Sequence, residues 1–163
     1  MKLKTLTLTA TLMAGMLTSA YAYDPKATIA DLDARLAKIG APKIDGEDKA
    51  ADKAVPALYF GERKVNNNYD VVDAVRKTHT ATATIFVKTG DEFVRVSTNV
   101  LTPEGKRGIG TQLARNKAYE ALSKGEQFCG PIDVLGTAFD ACYNPIKDTA
   151  GKIIGASYIG HKK

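Results

Sequence analysis

Histidine and cysteine are scarce in this 163-residue chain, with two of each. His79 and His161 stand far apart and in no ligand-spaced cluster. No CxxCH or HExxH run is present, so the sequence predicts neither a haem nor a metal site and no cofactor. GxSxG is also missing, and each cysteine is better used in a disulfide than as a nucleophile beside a histidine, so no enzyme is predicted. The loop Thr102–Thr111 carries three glycines but lacks the GxxxxGK[ST] spacing of a phosphate loop and follows no parallel strand. The basic residues are scattered and no aromatic-interleaved patch accompanies them, which argues against nucleic acid. Beyond the first 22 residues there is no apolar run long enough to cross a membrane.

Those first 22 residues are of a different kind. A basic start, Met1–Lys4, precedes an apolar stretch from Thr5 to Leu17 and the small-residue pattern Ala20-Tyr21-Ala22. This is the layout of a secretory signal peptide, with one domain expected from Tyr23 to Lys163. Removal of Lys2 and Lys4 lowers the formal net charge from +5 to +3. A periplasmic or secreted location follows as the expectation, and an oxidising compartment favours a disulfide. If FCGPIDVLGTAFDACY folds at Leu135-Gly136, Cys129 faces Cys142, and the bridge adds about 3 kcal/mol in the chain-entropy account.

The chain is organised around Thr82–Val100. Ala83, Ile85 and Val87 alternate with Thr82, Thr84, Phe86 and Lys88. Phe93, Arg95 and Ser97 alternate with Val94, Val96 and Thr98. Period-two patterning on both sides of Thr89-Gly90-Asp91 predicts a hairpin with two occupied faces. Upstream, Asp24-Pro25 starts a helix with Ile29, Leu32, Leu36 and Ile39 on one stripe, ended by Gly40 and Pro42. Lys43–Lys53 has no periodicity and reads as a loop. Ala54–Phe60 reads as a strand and Asp70–Lys77 as a short helix. Asn116 caps a helix bearing Tyr119 and Leu122, the cysteine hairpin follows, and Lys152–Tyr158 is the last strand. His161-Lys162-Lys163 reads as a solvated tail. The order predicts an α+β domain with an antiparallel sheet.

VPALYFG, NNNYDVVD, TATIFVKTGDEFVRVSTNV, AYEALSKGE, GPIDVLG and NPIKDTAGKIIGASYIG together resemble single Cache domains of the type-3/type-2 fusion group. These are periplasmic sensor regions of bacterial chemoreceptors and histidine kinases. The resemblance implies a PAS-like fold, with a long N-terminal helix behind a central antiparallel sheet and a pocket on the sheet's other face for small organic acids or amino acids. It also implies signalling through another protein, such as a membrane receptor, histidine kinase or transporter, and by analogy a homodimer. The opposed reading is an envelope interaction protein that keeps the fold without a pocket.

Arg95 is the foremost ligand candidate. A guanidinium inside a strand is costly unless paired, and its fork suits a carboxylate; the alternatives are an ion pair with Asp91, Glu92 or Asp140, or exposure on an edge. Arg107 could cover an anionic ligand from its glycine-bracketed loop. Tyr143 and Tyr119 are candidates through their hydroxyls, with core packing as the other reading. Thr98 and Ser97 are weaker candidate donors.

Overall fold

The computed structural model describes residues 23–163; the predicted signal peptide lies outside the described residues. Helix α1, Pro25–Ile39, begins as its sequence dictates: the Asp24 carboxylate accepts the backbone N–H groups of Lys26 at 2.9 Å and Ala27 at 3.2 Å. Its apolar stripe is buried through Ile29, Leu32 and Leu36.

Two antiparallel sheets follow. The smaller one holds β1, Pro42–Ala50, β2, Lys53–Phe60, and β3, Arg63–Lys64, in that order. The expectation of a loop over Lys43–Lys53 is therefore corrected to a strand and a turn. β1 is a mostly exposed edge strand, interrupted by a bulge between Ile44 and Glu47. Its side chains need no apolar alternation, because pairing with β2 makes it a strand rather than burial.

Helix α2, Asp70–His79, places Asp70 and Asp73 in its first turn and Arg76, Lys77 and His79 in its last, matching the helix dipole. It extends two residues beyond the expected end. Strands β4, Thr82–Thr89, and β5, Glu92–Thr98, form the predicted hairpin, and Gly90 takes the left-handed φ of +56° that the turn needs. Helix α3 spans Lys117–Ser123, with Asn116 accepting the N–H groups of Ala118 and Tyr119. Strands β6, Phe128–Val134, β7, Thr137–Lys147, and β8, Ile153–Lys162, complete the larger sheet. Its order is β5-β4-β8-β7-β6. The β4–β5 hairpin thus lies beside the last strand, which gives the central antiparallel sheet of the expected α+β, PAS-like architecture.

The cysteine hairpin has the predicted register, including Cys129 opposite Cys142, and a disulfide joins the two across a Cα separation of 4.1 Å. The close Cα spacing suits a non-hydrogen-bonded pair. The chain end is not a solvated tail. β8 runs to Lys162, His161 Nε2 donates to the His79 carbonyl at 3.1 Å, and Lys163 pairs with Asp140 at 3.1 Å. The His161 ring also lies against Tyr23, with centroids 3.4 Å apart. Sequence distance hid this contact, because sheet order brings β8 against the end of α2 and the start of α1.

Each face of the larger sheet carries its own core. On the back, α1 and α2 press Leu32, Leu36, Val72 and Val75 onto Ile85, Val87, Val96 and Ile159. On the front, α3 and the 100–113 segment cover Phe86, Phe93, Phe139, Tyr143 and Tyr158. Apolar burial on both faces is the main stabilising term at roughly 25 cal/mol per Å².

Candidate functional site

Alternation along β5 sends Phe93 and Arg95 to the front face and Val94 and Val96 to the back. Arg95 sits opposite Phe86, whose ring centroid lies 4.9 Å from the guanidinium carbon. Only 3% of Arg95 is exposed, so water does not solvate its charge. Its Nη1 donates to Thr111 Oγ1 at 3.0 Å and to the Gln112 carbonyl at 3.1 Å. Among the described residues, its Nε has no hydrogen-bond partner and no carboxylate pairs with it. Two of the carboxylates considered for it are engaged elsewhere: Glu92 pairs with Arg115 and Asp140 with Lys163. Burial pushes the Arg95 pKa down, and the neighbouring Tyr143 and Tyr158 partly oppose that shift.

The segment that holds Nη1 is fixed to the edge of β5. Arg95 N–H donates to Thr111 O, Gly110 N–H to Arg95 O and Leu113 N–H to Phe93 O, each at 2.9 Å. Gly110 has a φ of +79°, and a Cβ there would stand 2.6 Å from the Ala50 carbonyl, so only glycine lets this segment pass the β1–β2 turn.

Tyr143 and Tyr158 lie opposite each other on β7 and β8, with ring centroids 4.8 Å apart. Burial pushes both phenols well above the usual tyrosine range, so both are protonated. The Tyr158 hydroxyl donates to Thr82 Oγ1 at 3.1 Å, and that hydroxyl donates to Gly160 O at 2.9 Å. A Cβ on Gly160 would fall 2.1 Å from the Tyr158 hydroxyl oxygen, so the missing side chain makes room for the phenol. Tyr143 has no hydroxyl partner among the described residues.

The structure thus brings Arg95 and Tyr143 together and sets the other candidates apart. Arg107 grips Asp73 with both terminal nitrogens at 2.8 Å, donates to the Thr98 carbonyl and covers the Tyr69 ring at 4.4 Å. Tyr119 donates to the Asp91 carbonyl at 2.7 Å and packs edge-on to Phe93. A bulge between Ile85 and Phe86 leaves Val96 without a partner. The extra residue reverses the alternation, placing Thr98 opposite Thr84, where their hydroxyls share a 2.6 Å hydrogen bond. Ser97 donates to the Asn68 carbonyl at 2.6 Å.

Sequence reasoning missed Phe86 and Tyr158. Counting outward from Thr89 and Glu92 could have placed Phe86 near Arg95. For Tyr158, counting from Lys147 opposite Ile153 gives Ser157 as the partner of Tyr143, and a bulge moves it to Tyr158. Four surface clefts of about 390 to 650 Å³ open elsewhere, and none is lined by Arg95. No helix among the described residues is long and apolar enough to cross a membrane.

A family model described as the Cache 3/Cache 2 fusion domain matches residues 14–163. No curated protein matches the chain. Among solved structures, the chain is similar to the crystal structure of the E. coli DcuS sensor domain, with 26% identity and a TM-score of 0.40. That match covers 55% of this chain and 62% of the other, less than two thirds of its length.

Proposed function

Since the chain belongs to the Cache 3/Cache 2 fusion domain family, we propose that it is a sensor domain outside the cytoplasm that binds a small anionic metabolite and reports it to a membrane partner. Cache domains are extracellular or periplasmic sensors of small molecules and are generally non-enzymatic, which sets the class. The observation that carries the reading is Arg95, a buried guanidinium with a free Nε and no carboxylate. A buried charge is costly without a partner, and an anion supplied from solution would offset that cost. Tyr143 supports the site through its unpaired hydroxyl. Arg107, Tyr119 and Thr98 support it indirectly, by holding the segments around the front face. A ligand moves the relay only through different affinity for two shapes of the domain. The receptor, kinase or transporter that receives it belongs to the proposal.

The test is a thermal-shift screen of residues 23–163 against small carboxylates. At a hundred times its Kd a ligand adds about 2.7 kcal/mol of stability, read as a raised Tm. The Arg95→Ala variant is expected to fold and lose that shift. A variant that binds as tightly as the parent overturns the assignment of Arg95. The absence of any Arg95-lined cleft among the four favours the second reading, an envelope interaction protein without a pocket. No shift across the screen would establish that second reading over the first.

A further inference from the structure

The largest of the four clefts, about 650 Å³, lies away from Arg95, at the end of the larger sheet opposite the two chain ends. Three segments distant in sequence enclose it: the α1–β1 junction with Lys43, the end of β4 with Lys88, and the β7–β8 turn with Lys152. Pairing of β4 with β8 sets Val87 against Gly155 and so brings the last two together, and β2 packing against β4 adds the first. Three ammonium groups on one cleft repel one another, and its lining offers a single carboxylate, Asp148. That carboxylate is turned into its own loop, where Oδ1 accepts the N–H groups of Ala150 at 3.0 Å and Lys152 at 2.9 Å. Lys43 pairs with Glu62, whereas Lys88 Nζ donates only to the Gly90 carbonyl. Among the described residues neither Lys88 nor Lys152 forms an ion pair. Beside the cations stands an apolar wall of Pro42, Ile44, Pro56 and Ile153. Ile44 is 39% exposed, one of two large apolar side chains left open to solvent among the described residues.

We infer that this cleft is a binding site for a phosphomonoester carried on a compact apolar body. A lysine ammonium is a point charge without the planar fork of arginine. It therefore suits a dianion whose oxygens point in several directions better than a flat carboxylate. A phosphomonoester brings close to two negative charges at neutral pH and three strong acceptor oxygens. Lys88 and Lys152 supply the two uncommitted charges to meet them, and the Thr149 hydroxyl on the same turn supplies a further donor. The wall around Ile44 then covers the body of the ester, removing from water an apolar surface that the free protein leaves open. Because the cleft is open, its cations stay hydrated until the ester arrives, and the charge contribution weakens as salt rises. The bound ester ties the start of β1 to the β7–β8 turn, so it joins the two sheets where they approach. A soluble ester and the headgroup of a phosphatidic-acid lipid carry this same chemistry.

Titration calorimetry of residues 23–163 with phenyl phosphate, inorganic phosphate and benzoate, at low salt, tests the assignment. Phenyl phosphate is expected to bind, with inorganic phosphate weaker by about threefold or more for want of an apolar body. Benzoate, with one charge in one plane, is expected to be weaker by about tenfold or more. The double variant Lys88→Gln, Lys152→Gln is expected to weaken phenyl phosphate by about tenfold while the Tm of the free protein is held, since neither lysine is in an ion pair. Ile44→Ser is expected to weaken phenyl phosphate and leave inorganic phosphate unchanged. Undiminished binding in the double variant places the contact elsewhere and overturns the site. Benzoate as tight as phenyl phosphate overturns the phosphate selection, and no binding of phenyl phosphate overturns the inference as a whole. Cosedimentation with phosphatidylcholine vesicles, with and without phosphatidic acid, separates the two sources. Capture by the phosphatidic-acid vesicles that the double variant loses assigns a lipid headgroup; no capture, with phenyl phosphate still bound, assigns a soluble ester. The cleft shares no residue with the surroundings of Arg95, so its failure and the failure of the proposed function are read separately.

Discussion

The two faces of the five-stranded sheet treat polar groups in opposite ways. On the back, the polar side chains that tie α1 and α2 to the sheet and loops meet partners. Asp33 of α1 accepts from Ser157 at 2.6 Å and from Asn144 at 2.5 Å, linking the helix to β8 and β7. Arg107 is matched by Asp73, and Asp31 takes both Arg35 and His79. On the front, an arginine only 3% exposed keeps its Nε without a partner among the described residues. Folding tolerates such a charge only at a cost, and paired groups hold a fold more cheaply. The back face is therefore the scaffold, and the front face holds the buried guanidinium on which the proposed function rests.

The largest expected effect separates the faces outright. Leu32→Ala, on the fully buried stripe of α1, is expected to cost about 2–5 kcal/mol of stability through lost burial and a residual cavity. Denaturant unfolding reads the loss, and the Kd for a carboxylate found in the thermal-shift screen should stay as in the parent. A changed Kd would mean that the back core reaches through the sheet to Arg95. Arg107→Gln gives a smaller contrast with Arg95. It removes a bidentate pair that is partly exposed and screened by solvent, so the expected loss is about 1 kcal/mol with carboxylate binding intact. Loss of binding in this variant would move Arg107 into the site.

The smallest effect is one of pH, and two acids of α1 act in opposite directions. Burial raises the Asp33 pKa above the ordinary carboxylate range, against the hydrogen bonds from Ser157 and Asn144. Its folded value exceeds its unfolded value, so its contribution is complete below the unfolded pKa and is lost as pH rises through the folded one. For Asp31, burial also raises the pKa, but hydrogen bonds from Arg35 and His79 outweigh it and the net shift is downward. Its contribution is present above the unfolded pKa and lost as pH falls through the folded one. Asp33→Asn is therefore expected to remove a stability loss that the parent shows as pH rises out of the carboxylate range. Tm against pH for both proteins checks this, and parallel curves would show that Asp33 does not titrate in that window.

Elements whose side chains pay for their own conformation were legible in the sequence. The Asp24-Pro25 start of α1, the Asn116 cap, the β4–β5 hairpin and the Cys129–Cys142 register follow from local chemistry and period, and the structure contains each. Arg95 was also legible as a cost in need of a partner. The sequence left β1 as a loop because its side chains remain in water and carry no burial signal. Thr98 and Tyr158 depended on bulges, which shift the register by one residue and are invisible in the period itself. That Arg107 meets Asp73, that His161 meets His79, and that Tyr143 and Tyr158 rather than Tyr119 and Thr98 stand beside Arg95 were decided only by tertiary structure. Those pairings join residues tens of positions apart, and only the order of strands in the sheet sets their distances.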